Sequence, residues 1–387
     1  MEDWPRALDP ILEAGLDRVY TAAVVEVRHR GWPVYQRAVG HPDPEAAPER
    51  PATLATLFDL ASITKPFVAT AFLRLLAEMP DLTLTTPVAE VLPEFWGPRP
   101  VRGFAALARP SALERSLWEG IARAEEVTFA QVLSHAAGLA AWLPLYTWLR
   151  EEVRPRVLRA AFAYKPGRYV LYSDIGFIIL GWVVEALTAQ SLDRALQALV
   201  LTPLGLTATG YRRRGHAAPI AAGEVAATEY CPWRGRRIRG EVHDEKAWYL
   251  EGVAGHAGVF STARDVAAFG QAWLDALRGQ GPLAALLGAD LPWQAVQLQA
   301  QAGLVRRGLG WALWSPAPRS VSNPLGPRAF GHTGFTGTSL FVDPDCDIVI
   351  AALTNRVYFG RERTATAITD WRLALHREAK RLCSSLG

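Results

Sequence analysis

Two groups of β-type segments stand at opposite ends of this chain, with helix-compatible sequence between them. Near the start, Thr21 to His29 and Pro33 to Val39 flank Arg30-Gly31-Trp32 and predict a hairpin. Near the end, Leu309 to Trp314, Ser339 to Val342 and Ile348 to Leu353 are short β-type runs, and a strand from Ala329 leads into His332-Thr333-Gly334. Strands need partners, and pairing the two groups makes one sheet from both termini, with the middle as an insertion. The expected fold is α/β (α+β): an antiparallel sheet built from both termini and flanked by helices, plus a mostly helical inserted domain. The expected partition is 1–80 with 253–387 for the sheet domain and 81–252 for the helical one, with a cleft between them.

The helical part has its own signals. Pro10 to Val19 is amphipathic, with Asp9 placed to cap it. Phe67 to Glu78 has apolar residues at helix spacing, and Phe129 to Leu133, Asp174 to Thr188 and Leu192 to Val200 are helix-compatible. Thr364 to Leu382 closes the chain as an amphipathic helix. With 50% hydrophobic residues in a chain of 387, there is ample core material, which excludes intrinsic disorder.

A net charge of +3 gives no reason to expect a nucleic-acid or membrane-surface partner. Arginines do bunch, at Arg212 to Arg214 and at Arg234, Arg236, Arg237 and Arg239. They read as a solvated loop or as a loop that meets an anionic substrate. Cys231, Cys346 and Cys383 have no close spacing, so neither a disulfide framework nor a cysteine metal site is indicated. The start, Met1 to Gly15, lacks a basic stretch followed by an apolar run, and Ile175 to Val184 is half a bilayer span flanked by Asp174 and Glu185. No membrane segment and a cytoplasmic location are expected.

The chain has no Gly-x-Ser-x-Gly elbow, no His-Glu-x-x-His and no phosphate-binding loop. It does have Ser62-Ile63-Thr64-Lys65. Among 13 serines and four lysines, Ser62 alone has a lysine three residues on; chance predicts about 0.13 such pairs. On a helix, residues three apart share a face, so the amine can take the hydroxyl proton, provided the surroundings depress the lysine pKa. A capping serine before a surface lysine reads the same way. Tyr172-Ser173-Asp174 opens the apolar helix, where a phenol feels the positive end of the dipole and can shuttle a proton. The alternative is a packed Tyr172 with Asp174 as the helix cap. Gly-His-x-Gly occurs twice, at Gly255 to Gly258 and Gly331 to Gly334, and marks two separate places of close backbone approach.

These elements, in this order, resemble the penicillin-recognising serine hydrolases, and within them the class C β-lactamase-like proteins with Ser-x-x-Lys, Tyr-x-Asn and Lys-Thr-Gly boxes. Phe58 to Pro66 looks like the family's nucleophile segment. Leu133-Ser134-His135-Ala136-Ala137-Gly138-Leu139 looks like its helix-to-loop turn, and Pro166-Gly167 through Tyr172 to Gly181 looks like its second box. The resemblance runs from about Val19 to the last helix. It implies an acyl-enzyme on Ser62, acid–base duty shared by Lys65 and Tyr172, and an oxyanion hole from the backbone N–H groups of Ser62 and Phe335. Asp174, His332, Thr333 and Gly334 would then bind substrate.

Two departures stand out. Asp174 replaces the usual Asn, so a donor becomes an acceptor that holds Lys65 charged or orients it. His332 replaces Lys, and a mostly neutral imidazole grips a substrate carboxylate less firmly, which argues against β-lactam hydrolysis. Thr228 to Arg234, Gly240 to Asp244 and Gly252 to Ser261 look like a branch linked to bacterial cell-wall peptide and muropeptide turnover. His243, Asp244 and His256 would line the cleft. Their spacing is not that of a metal site, so no metal and no cofactor are expected. The implied function is a serine hydrolase acting on an amide or ester of a small molecule, foremost a peptidoglycan-derived peptide or muropeptide. The alternatives are a carboxylesterase or acyltransferase, a β-lactamase, and a non-catalytic binding or scaffold module that would be free to lose Ser62, Lys65 and Tyr172. Oligomeric state is left open.

Overall fold

The computed structural model describes residues 3–103, 115–216 and 224–385. Eight strands form the main sheet: β1 (Ala22–His29), β2 (Trp32–Gly40), β3 (Ala300–Ala302), β4 (Val305–Arg307), β5 (Ala312–Leu313), β6 (Phe330–Thr333), β7 (Ser339–Asp343) and β8 (Ile348–Thr354). Their order is β3-β4-β5-β6-β7-β8-β1-β2, and every neighbouring pair is antiparallel. The join between chain ends is the β1–β8 ladder, with Val25 opposite Ala352. The antiparallel sheet built from both termini is therefore present.

Five helices matter for the site: α1 (Asp3–Gly15), α2 (Thr64–Glu78), α3 (Asp174–Thr188), α4 (Ala263–Ala276) and α5 (Ala365–Ser385). Alternation along β1 and β8 assigns them to faces. Ala23, Val25, Val27, Ile348, Ile350 and Ala352 pack on Leu8 and Leu12 of α1 and on Trp371 and Leu375 of α5. The interleaved Val24, Val349, Ala351 and Leu353 share a core with Phe67 of α2 and Phe269 and Trp273 of α4. Both faces are covered, so β8 is buried at every position and its sequence shows no polar alternation. Each fully buried Val, Ile or Leu among them contributes about 1.5–3 kcal/mol.

The first helix differs from its expected span. It runs from Asp3, and Pro10 lies inside it, because Trp4, Leu8 and Leu12 form a buried stripe at spacing four that outweighs one lost hydrogen bond. The expected strand Leu309–Trp314 shrinks to Ala312–Leu313, while the polar hairpin β3–β4 was not foreseen. Among the described residues no single helix is long and apolar enough to cross a membrane.

Candidate active site

A small three-stranded sheet, Phe58–Asp59 against Val259–Ser261 against Gly210–Tyr211, delivers the chain to Ser62. Ala61 adopts a left-handed φ of 46°, a strained conformation for a residue with a Cβ, held by its N–H donating to Asp59 Oδ1 at 2.8 Å. Ser62 sits in the one-turn 3-10 helix that leads into α2. The third box clamps this segment: Thr336 and Thr338 hydroxyls donate to the carbonyls of Asp59 (2.7 Å) and Leu60 (3.0 Å). A Cβ on Gly334 would stand 2.4 Å from the Leu60 carbonyl oxygen, so glycine is required there for backbone packing. The other Gly-His-x-Gly copy works separately: a Cβ on Gly255 would meet the Phe177 carbonyl of α3 at 1.9 Å.

Lys65 is fully buried, and its Nζ reaches Ser62 Oγ at 3.0 Å, Asp174 Oδ1 at 2.8 Å and the His256 carbonyl at 3.1 Å. Three acceptors match the three protons of an ammonium. Burial pushes this amine down, but the Asp174 carboxylate and Tyr172 outweigh burial and raise it above its ordinary value. The depression that a neutral Lys65 needs is absent; Asp174, a charge where the family's Asn is a dipole, holds Lys65 charged, one of the two roles expected of it. Beyond it the charges alternate: Lys246 Nζ bonds Asp174 Oδ2 (3.3 Å) and Asp244 Oδ2 (2.8 Å), and Asp244 Oδ1 meets His256 Nε2 at 2.9 Å. Burial would raise both carboxyls, yet Lys65, Lys246 and His256 hold Asp174 low and His256 and Lys246 hold Asp244 well below its usual range.

Asp174 does not cap α3. Ser173 does, its Oγ accepting from the Gly176 N–H at 3.0 Å and donating to the Ala140 carbonyl at 2.6 Å, which frees the Asp174 carboxylate for Lys65. His135, in the Leu133–Leu139 turn, accepts from the Ser173 N–H at Nδ1 (3.1 Å) and lies 4.5 Å, ring to ring, from Tyr172. Burial, then Arg307 and Lys65, push its pKa well down, so it is a neutral acceptor that braces Tyr172. Lys65 Nζ stands 4.8 Å from the Tyr172 ring centre.

His332, at the end of β6, donates from Nδ1 to the Thr333 carbonyl at 2.9 Å and leaves a buried Nε2 without a partner. Burial, with Lys65 and Arg307 nearby, pushes it down to about 3, so it is neutral at pH 7 as expected. A cation nevertheless stands close by. Arg307 of β4 lies 5.3 Å from the Tyr172 ring centre, and among the described residues its guanidinium meets no protein acceptor; its Nε is buried and unpartnered. No spacing or motif in the sequence singles it out, and the short polar hairpin that carries it has no apolar periodicity to mark it.

Two cavities meet at Ser62, Tyr172 and Phe335. One, of about 440 Å3, adds His332, Thr333, Gly334 and the arginines Arg307, Arg356 and Arg372, and among the described residues no Asp or Glu lines it. The other, of about 390 Å3, adds Trp142, Asp174, His243, Asp244, Lys246 and His256. Among the described residues neither the Ser62 nor the Phe335 backbone N–H donates to a protein acceptor, as an oxyanion hole requires. The sequence-selected residues are thus brought together, although His243 is engaged elsewhere, its Nε2 on Glu229 at 2.9 Å and its N–H on the buried Asp59 at 2.7 Å. One group with metal-ligand donors, Asp174, Asp244 and His256, has its ligand atoms within 4.8 Å; it excludes His243, and both carboxylates already bond the Lys246 ammonium. The conspicuous arginine runs are braces: Arg213 pairs with Asp193, Arg236 with Glu241, Arg237 with Glu45 and Arg239 with Glu224.

The model of the Beta-lactamase family matches residues 8–374. The chain belongs to that family. It is 30% identical over 380 residues to the N-acetylmuramyl-L-alanine amidase of Bacillus subtilis (strain 168), covering 91% of this chain and 80% of that one. It is 29% identical over 355 residues to a putative D-alanyl-D-alanine carboxypeptidase of Escherichia coli (strain K12), covering 84% and 75%. In fold this member of the Beta-lactamase family is similar to EstCE1, a hydrolase with promiscuous acyltransferase activity (TM-score 0.69, 21% identity, 96% and 99% covered). It is also similar to the octameric penicillin-binding protein homologue from Pyrococcus abyssi (0.68, 20%, 96% and 77%).

Proposed function

We propose that this chain is a serine amidase or peptidase, acylated at Ser62, whose substrate is a peptidoglycan-derived peptide or muropeptide with a carboxylate on the departing amine. Arg307 carries this reading. A guanidinium that meets no acceptor among the described residues, in a cavity that no described Asp or Glu lines and that also holds the candidate nucleophile, is costly unless an anion completes it. A neutral ester leaves that cost unpaid; a peptide leaving group removes it. The names of the relatives, one an amidase of muramyl-alanine and one a putative D-alanyl-D-alanine carboxypeptidase, point to the same chemistry.

In this reading Tyr172 acts as the phenolate beside the Lys65 ammonium, and it accepts the Oγ proton as Ser62 Oγ attacks the amide carbonyl. The Ser62 and Phe335 N–H groups hold the developing oxyanion. Lys65, a resting ammonium, stabilises charge at Oγ and serves as base only after giving a proton up. The C–N bond breaks, the amine leaves with the proton, and water hydrolyses the Ser62 ester. Intact-protein mass spectrometry tests this: a fluorophosphonate adds one label to the parent and none to Ser62→Ala, and muropeptides give an acyl adduct or free product. Label on another serine with turnover surviving in Ser62→Ala would overturn it.

A further inference from the structure

One face of α5 is tied to the rest of the fold by four side chains, at spacings of four, four and three residues. Arg372 Nη2 donates to the Thr338 carbonyl at 2.7 Å, and His376 Nδ1 to the Val321 carbonyl at 2.6 Å. Lys380 Nζ donates to Asp343 Oδ2 at 3.2 Å, and Cys383 Sγ to the Cys346 carbonyl at 2.9 Å. The first tie reaches the candidate active site. Its acceptor, the Thr338 carbonyl, also takes the Gly334 N–H at 2.7 Å and so closes the turn that carries Phe335. The last tie joins two cysteines.

Cys346 is half-buried in the turn between β7 and β8, and Cys383 is buried near the end of α5. Both thiols are free, 37 residues apart in the chain, and the two residues touch across the packed elements. Burial, and then the Cys346 thiol, push Cys383 up to about 12. Lys380 is lowered by burial, but the Cys346 thiol and Asp343 outweigh this and raise it, so an ammonium stands at the same spot. Thiol beside thiol on two packed elements is the arrangement a disulfide needs, and the ammonium favours the thiolate that starts its formation. Sequence spacing hides this pair, because it exists only when α5 packs on the sheet.

We propose that Cys346 and Cys383 are an oxidation site, at which a hydroperoxide joins the end of α5 to the β7–β8 turn by a disulfide. Cys346, the more accessible sulfur, attacks a peroxide oxygen; the S–O bond forms, the O–O bond breaks and water leaves. Cys383 then attacks that sulfur, the S–S bond forms, the S–O bond breaks and a second water leaves. The two thiols give up two electrons and two protons, and hydrogen peroxide becomes two waters. The bridge constrains the unfolded chain and keeps α5, with Arg372, on the third box during heating. None of this depends on which substrate Ser62 takes.

Full-length protein treated with hydrogen peroxide, then unfolded and alkylated with iodoacetamide, tests the site by intact mass and peptide mapping. The reduced chain should take three alkyl groups and the oxidised chain one, on Cys231, with a peptide pair linked through Cys346 and Cys383. The oxidised protein should melt about 5 °C higher. It should also keep hydrolysing an activated ester after a heat step that inactivates the reduced protein. Dithiothreitol should reverse the gain, Cys231→Ser should retain it, and Cys346→Ser and Cys383→Ser should each abolish it. Sulfinic acid on either cysteine without a cross-link, or a bridge through Cys231, overturns the site. A bridge between Cys346 and Cys383 that leaves the melting temperature unchanged overturns its role in holding α5.

Discussion

The two cavities that meet at Ser62 differ in how their charges are ordered: three arginines line one, and Asp174, Asp244, Glu245, Lys246 and Arg361 line the other. On the Trp142 side each carboxylate already has a cation, in the sequence Lys65, Asp174, Lys246, Asp244, His256. On the other side Arg356 and Arg372 are bonded to main-chain carbonyls, and Arg307 is bonded to nothing among the described residues. Paired charges hold a framework in place; an unpaired, half-buried one awaits a partner from outside. The same contrast sets Arg307 apart from the crowded arginines of 212–239, which are mostly paired.

The strongest way to break this contrast is to remove a link on the paired side. Lys246→Ala leaves the Asp174 and Asp244 carboxylates facing each other without the ammonium that bridges them, with Lys65 on one and His256 on the other. Losing one partner of a buried ion pair should cost about 3 kcal/mol, read as a lower urea midpoint. An unchanged midpoint would mean that the chain of charges is not a framework.

Arg307→Ala removes the unpaired charge. Turnover of substrates with a carboxylate on the leaving amine should fall about 100-fold in kcat/KM, while an uncharged activated ester changes little. Equal losses on both would assign Arg307 to holding Tyr172 instead of the substrate.

Asp174→Asn restores the amide of the family's second box. The carboxylate now raises the Lys65 pKa against the effect of burial, so its removal lets Lys65 lose its proton at lower pH. The acid limb of the pH–kcat/KM profile should move to lower pH. A limb that stays put would show that Lys65 never serves as a base.

The smallest effect concerns position 332. With His332 neutral, a lysine there would be the obvious cation for a β-lactam carboxylate, but Arg307 already supplies one. His332→Lys should alter cephalosporin acylation by less than about threefold. A large selective gain would show that Arg307 does not reach the substrate carboxylate.

Local pattern made much of the molecule legible. The hairpin, the helices from Asp174 and Phe129, the buried strand at Ile348 and the three boxes all rest on signals within a few residues. Such signals survive because backbone preference and period act locally. The sequence by itself thus determined the sheet made from both chain ends, the pairing of Ser62 with Lys65, and a neutral third box. Only the tertiary structure decided that Lys65 is charged, that Ser173 and not Asp174 caps α3, and that Arg307 stands beside Tyr172. The reason is that a pKa, a cap partner and an unpaired charge depend on what lies within a few ångströms in space. Lys65 and His256 are 191 residues apart, yet their atoms stand 3.1 Å from each other.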